Sequence, residues 1–209
     1  MLTDKTVNDF TQALSDKVPV PGGGGAAALV GALAAALGAM AANYTVGKKS
    51  YAMYEEDLKD ILNNTENLRQ KLLGLIEEDA KSFEPLSKAY VIPKDDPTKY
   101  RALEAATLNA TYPPLDIMDA CADVLEVLDE LVEKSSRIML SDVGCAAILA
   151  GAALRAASLN VYVNTTALND RAKAEELELT AERLLDDYLP LADVIAETVY
   201  DEIRSSDDD

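Results

Sequence analysis

Residues 25–46 read GAAALVGALAAALGAMAANYTV, a stretch with no charge over 22 positions. The length suits a membrane span. The composition does not: only Leu29, Val30, Leu33, Leu37, Met40 and Val46 are larger aliphatics, and the apolarity comes mainly from Ala and Gly. A helix buried among other helices accounts for it better than a lipid-facing one. Residues 146–157 have the same small-residue character. Small side chains let helix axes approach closely, so the two segments are expected to form the centre of the molecule.

Outward from that centre the chain reads as helix. It contains 33 Ala, with Leu, Glu and Lys prominent among the rest, all strong helix formers. No run alternates with period two over β-branched residues, so no strand is predicted. Thr3 or Asp4 is the expected cap of a first helix, to about Leu14, and residues 15–25 form a loop with Pro19, Pro21 and four glycines. The central helix should run over about 26–46 and stop at Gly47, and a long third helix over about 50–89, bent near Gly74 and Pro85. Pro93 to Pro97 break the pattern. The next helical segment, 98–136, contains Pro113 and Pro114, which leaves open one kinked helix or two. Ser141-Asp142 is placed to cap a helix to about Thr166, and Asn169-Asp170 opens a last one to about Arg204 with Pro190 inside. Helices joined by short loops make an antiparallel bundle. The fold class is therefore all-α, a bundle of long, kinked helices in a single domain over 1–209, with an acidic tail at about 205–209.

Absences narrow the chemistry. Without His, His triads, His metal sites and Glu-x-x-His di-iron bundles are excluded. With no Trp and 5% aromatics, stacking surfaces for single-stranded nucleic acid are poorly supplied. Cys121 and Cys145 form no C-x-x-C pair, so no metal set is expected, and two thiols suit a reducing compartment as small buried apolar groups. The net charge of −18 argues against phosphate backbones and anionic membranes as partners. Met1 to Lys17 lacks a basic, apolar leader, which points to the cytoplasm.

Five motifs can carry chemistry. Gly22, Gly23, Gly24 and Gly25 lead into a helix whose N-terminal N–H groups and dipole favour an anion, although a tight entry turn would use the same residues. Lys48 and Lys49 follow the helix stop. They either complement its dipole or capture an anionic ligand tail. Asp79 falls on the apolar stripe of Leu72, Leu75, Ile76, Phe83 and Leu86, whereas Glu77 and Glu78 can face water. Desolvation raises the pKa of such a carboxyl and fits it for proton transfer near neutrality; a neighbouring Lys, Arg or Ser could equally just satisfy it. Asp142 is most simply part of a cap. Asn160 and Asn164 put two amides one turn apart on one face, suited to buried groups or to a heterocycle.

In order along the chain, Pro-Gly-Gly-Gly into an Ala-rich helix, Gly-Lys-Lys-x-Tyr, Asp-Ala-x-x-Phe, Ile-Pro-Lys, Ser-Asp and Asn-Val-x-x-Asn resemble the cyclodeaminase/cyclohydrolase family. That family comprises the C-terminal domain of formiminotransferase-cyclodeaminase and its stand-alone bacterial relatives. The likeness runs over about 6–200, with departures at Gly25, where a small hydroxyl residue is common, and at Ser135-Ser136 in place of Gly-Asn. The resemblance implies closure of 5-formiminotetrahydrofolate to 5,10-methenyltetrahydrofolate with release of ammonia. It places the proton donor on Asp79 and the glycine loop on Gly22, Gly23 and Gly24. Lys48 and Lys49 would meet the anionic glutamate or polyglutamate tail, and Asp142, Asn160 or Asn164 the pterin. It also implies self-association, here expected as a homodimer, and no cofactor or metal beyond tetrahydrofolate as substrate. The first alternative is methenyltetrahydrofolate cyclohydrolase, with water attacking the methenyl carbon. The second is a non-catalytic helical oligomerisation or binding module.

Overall fold

A computed structural model describes residues 1–205; the acidic tail anticipated from the sequence falls almost wholly outside them. Six α-helices follow in chain order: α1 (Val7–Ser15), α2 (Gly23–Asn43), α3 (Glu55–Tyr90), α4 (Lys99–Lys134), α5 (Leu140–Ala167) and α6 (Arg171–Arg204). Short 3-10 turns stand before α1, α3 and α5. Among the described residues there is no strand.

Capping explains several boundaries. The Thr6 hydroxyl, not Thr3 or Asp4, caps α1 by accepting from the Asp9 N–H at 3.1 Å. Helix α2 starts three residues earlier than expected, at Gly23, so Gly23, Gly24 and Gly25 lie inside the helix and not in the loop. Its end is followed by a turn at Gly47, whose φ of +79° suits glycine. Ser141 and Asp142 lie inside the first turn of α5, after Met139 at the cap, so the expected cap is displaced by two residues. Asp170 does cap α6, accepting from the Lys173 N–H at 3.0 Å.

The prolines inside helices do not divide them. Pro85, Pro113, Pro114 and Pro190 sit within continuous α3, α4 and α6, which resolves the α4 alternative in favour of one helix. Packing from neighbouring helices outweighs the lost N–H bond.

Helices α2 and α5 pack side by side, flanked by α3 and α6 respectively, and all four contact α4 on one side. The expected central pair is thus half right: α2 and α5 are neighbours, but α4 is the inner helix, burying Ile117, Met118, Leu125 and Leu128. Both α2 and α5 contain an 18-residue window long and apolar enough to cross a membrane, of which 56% is buried inside the bundle. Small residues set the close approach. A Cβ at Gly31 would lie 2.8 Å from Cys121 Sγ and 3.1 Å from Leu72 Cδ2. Cys121 is buried, and burial pushes its thiol up to about 12, whereas Cys145 is exposed on α5, contrary to the expected burial of both. Leu72 fills the α2–α3–α4 junction with no exposed surface. Leu72→Ala is expected to cost about 2–5 kcal/mol in urea denaturation, because the closely packed helices cannot collapse into the cavity.

Candidate active site

The N-terminus of α2 and the middle of α3 meet at the same level of the bundle. The count around the corner explains this. From Gly47 back to Gly24 is about as many residues as from Glu55 on to Asp79, and the two helices run antiparallel at about 1.5 Å per residue. Asp79 therefore arrives under the glycines. It is half-buried, and its Oδ2 accepts the Gly25 N–H at 3.1 Å. No Lys or Arg pairs with it among the described residues. Burial raises its pKa and the Gly25 N–H acts in the opposite direction as the smaller influence.

The glycines are shaped by what stands against them. A Cβ at Gly24 would come within 2.6 Å of Asp79 Cγ, and one at Gly23 within 3.1 Å of Asn160 Oδ1. Gly22 caps the helix without a side chain, and the first turn closes with Ala26 N–H to Gly22 O at 3.0 Å. The N–H groups of Gly23 and Gly24 precede that bond and stand at the positive end of α2.

From the opposite side α5 brings Asn160 and Asn164. The Asn160 amide donates to Ala156 O at 3.1 Å and the Asn164 amide to Ala110 O at 2.9 Å, which ties α5 to α4. Each amide keeps its Oδ1 as an acceptor for another group. These residues line a cavity of ≈190 Å³ with Ser82, Phe83 and Pro114. Ser82 donates to the Asp79 backbone carbonyl at 2.8 Å, fixing that turn of α3. Ser82 and Pro114 had no motif to mark them; only the helix level, read by counting residues, could have placed them here. An open groove of ≈310 Å³ adjoins the cavity, sharing Pro19, Val20 and Phe83 and adding Lys81 and Lys88.

So Gly22, Gly23, Gly24, Asp79, Asn160 and Asn164 come together as the sequence suggested. Lys48, Lys49 and Asp142 do not. Lys48 follows the far end of α2, about 30 Å away over a helix of 21 residues. There its Nζ donates to Ser136 Oγ at 3.1 Å, while the Ser136 N–H donates to the buried Thr45 hydroxyl at 2.8 Å. Asp142 begins α5 at that same far end. Chain order along antiparallel helices does not reveal which end a motif occupies.

The grouped residues offer one acid of raised pKa, two amides, free helix-terminal N–H groups and apolar walls from Phe83 and Pro114. That set can hold a polar heterocycle and transfer a proton to or from it. Among the described residues no group of three His, Cys, Asp or Glu is arranged for a metal.

Comparison with known proteins converges on one group. Residues 6–183 match the family model described as Formiminotransferase-cyclodeaminase. Over 98% of its length the chain is 40% identical to the methenyltetrahydrofolate cyclohydrolase of Methylorubrum extorquens, all of which it covers. It is 26% identical over 89% of its length to the formimidoyltransferase-cyclodeaminase of Sus scrofa, spanning 35% of that longer protein. The crystal structure of formiminotetrahydrofolate cyclodeaminase from Thermotoga maritima matches with a TM-score of 0.83 at 27% identity, over 98% of both chains.

Proposed function

The chain belongs to the formiminotransferase-cyclodeaminase family, and from that premise we propose that it hydrolyses 5,10-methenyltetrahydrofolate to a formyltetrahydrofolate. The observation that carries this reading is the end-to-end match, at 40% identity, to a cyclohydrolase. It reverses the order suggested by the motifs, which put ammonia release first. Cyclodeamination stays as the second reading, because the superposable Thermotoga maritima enzyme bears that name.

Both reactions pass through one carbon held between N5 and N10 of the folate, bearing a hydroxyl in one case and an amine in the other. One cavity therefore suits both, and Asp79 has opposite duties in them. In hydrolysis its carboxylate takes a proton from the attacking water, and burial makes it a stronger base than an ordinary Asp. The same negative charge complements the cationic methenyl group. In deamination the protonated carboxyl gives its proton to the departing amine. Asn160 and Asn164 would hold the pterin edge, and Phe83 and Pro114 its faces. Fixing N10 beside the carbon supplies much of the rate in either direction.

The proton states make the readings separable. Hydrolysis should gain rate as pH rises through the Asp79 pKa; deamination should lose it. The test follows methenyltetrahydrofolate absorbance against a no-enzyme control, beside ammonia release from 5-formiminotetrahydrofolate. Accelerated loss of the methenyl band without ammonia is expected. Ammonia release alone would hand the site to deamination, and silence in both assays with no folate binding would leave a binding module. The enzyme is further read as cytoplasmic and homodimeric, using tetrahydrofolate as substrate and no added cofactor. The exposed apolar residues Leu33 and Met40 on α2 and Ile148 and Leu159 on α5, in an otherwise acidic chain, favour the dimer.

A further inference from the structure

Four prolines stand inside helices of the bundle: Pro85 in α3, Pro113 and Pro114 in α4, and Pro190 in α6. A proline there has no N–H to give to the carbonyl four residues back, and its ring crowds that carbonyl off the helix axis. The carbonyls of Lys81, Asn109, Ala110 and Asp186 are thereby left without their helical donors. Lys81, Asn109 and Asp186 are exposed residues, whose carbonyls can turn to water. Ala110 is buried, and its carbonyl is served differently: Asn164 Nδ2, from α5, donates to it at 2.9 Å. Among the described residues no side chain donates to the other three carbonyls.

That bond decides how the Asn164 amide stands. A carbonyl only accepts, so the amide nitrogen must face Ala110, and Oδ1 is the atom left for a ligand. The amide nitrogen of Asn160, one turn earlier, is held in the same sense by Ala156 O at 3.1 Å. Both residues line the Asp79 cavity, and so does Pro114. The cavity therefore offers acceptors from two amides and a carboxylate, a set that matches the N–H donors of an amino-substituted heterocycle. With an N–H at position 114, Ala110 would bond within its own helix. The Asn164 amide, whose terminal torsion is broad and two-fold, could then turn either end toward a ligand.

Resting on the folate reading above, we propose that Pro114 is a positioning residue that acts through Asn164. By denying Ala110 its helical hydrogen bond, it gives the Asn164 amide an anchor on α4. The anchored amide presents Oδ1 as the acceptor for an N–H edge of the pterin. This role is separate from the contact of the proline ring with the ligand, and the two make different predictions.

The test is a double-mutant cycle. Pro114→Val restores the N–H and keeps most of the apolar bulk of the ring. It should lower kcat/KM for methenyltetrahydrofolate about tenfold, the worth of one hydrogen bond, mainly by raising KM. Asn164→Ala should lower it at least as much. The double variant should be no worse than Asn164→Ala alone, because nothing is left to position. Pro113→Ala restores an N–H to the Asn109 carbonyl, which holds no side chain, and should leave kcat/KM unchanged. Losses that add in the double variant overturn the proposal, since ring contact would then be the requirement. An equal loss in Pro113→Ala also overturns it, in favour of helix shape. Pro114→Ala, with the strongest helix former, repeats the cycle if valine crowds α4. A second readout needs no ligand. In the wild type, Asn164→Ala leaves the buried Ala110 carbonyl without a donor and should lower the urea midpoint. In the Pro114→Val background that carbonyl is bonded within α4, and the same substitution should lower the midpoint much less. Equal falls in both backgrounds overturn the anchoring. If the wild type neither turns over nor binds folate, the folate reading fails, and the urea midpoints still decide whether Pro114 gives Asn164 its anchor.

Discussion

Asp79→Asn should lose about a hundred- to ten-thousandfold in turnover, the range a positioned acid or base contributes, and gain stability at neutral pH. The substitution keeps the shape of the side chain and an Oδ1 that can still accept the Gly25 N–H, now at 3.1 Å from Asp79 Oδ2. What it removes is a half-buried charge with no cationic partner among the described residues. Burial holds the folded-state pKa above the ordinary Asp value of about 3.9, so the folded protein keeps this proton to higher pH than the unfolded chain does. Between the two pKa values the unfolded state binds fewer protons, and stability falls as pH rises. Above the folded value the whole cost is present. The stabilities of wild type and variant should therefore agree below about pH 4, separate as pH rises, and run parallel above the folded pKa. Urea denaturation at a series of pH values reads this directly. A variant less stable than wild type at pH 7, or one that keeps its turnover, would show that Asp79 is a packing residue. The pH–rate profile of the wild type carries the complementary information. A limb rising with pH belongs to a base and hydrolysis, a falling one to an acid and deamination.

The sequence went further for helices than for the pocket. The all-helical character, the helix order and the Asp170 cap follow from composition and local signals that act over a few residues, whereas α2 ends at Asn43, before the expected stop at Gly47. Asp79 was legible because a stripe of Leu72, Leu75, Ile76 and Phe83 forces a side chain at that phase toward neighbours. The start of α2 was misjudged because glycine is a poor helix former, and the gain that offsets its propensity is remote: Asp79, 54 residues on, accepts the Gly25 N–H. The grouping of Lys48 and Asp142 with the pocket failed for a different reason. Motif order carries no information on which end of a bundle a residue reaches, and both of these stand at the end opposite Asp79. The count of residues either side of the Gly47 turn separates them from the pocket.

The glycine run makes the sharpest demand on a single position, and its members should respond differently. By helix propensity alone, Ala at any of Gly23, Gly24 or Gly25 should stabilise α2 by about 0.8–1 kcal/mol. At Gly24 the new Cβ would lie 2.6 Å from Asp79 Cγ. Something must move, and the carboxyl is freer to do so than two packed helices. Rotating it away breaks the Gly25 N–H bond and takes the acid out of the cavity. Overpacking of this kind costs about 1–3 kcal/mol, which roughly offsets the helix gain. Gly24→Ala is therefore expected to change stability by no more than about 2 kcal/mol while cutting turnover about a hundredfold or more, as loss of the acid would. Gly25→Ala is the control. Its Cβ would make ordinary contacts, 3.5 Å to Pro21 Cβ and 3.6 Å to Ile76 Cγ2, so that variant should keep most of its activity and unfold at higher urea. Steady-state turnover and urea midpoints of the two variants decide the matter. Equal loss in both would mean that the run serves as a flexible ligand loop, whose requirement is conformational freedom. Loss confined to Gly24 would mean that glycine is needed there because the carboxyl of Asp79 occupies the space where a side chain would be.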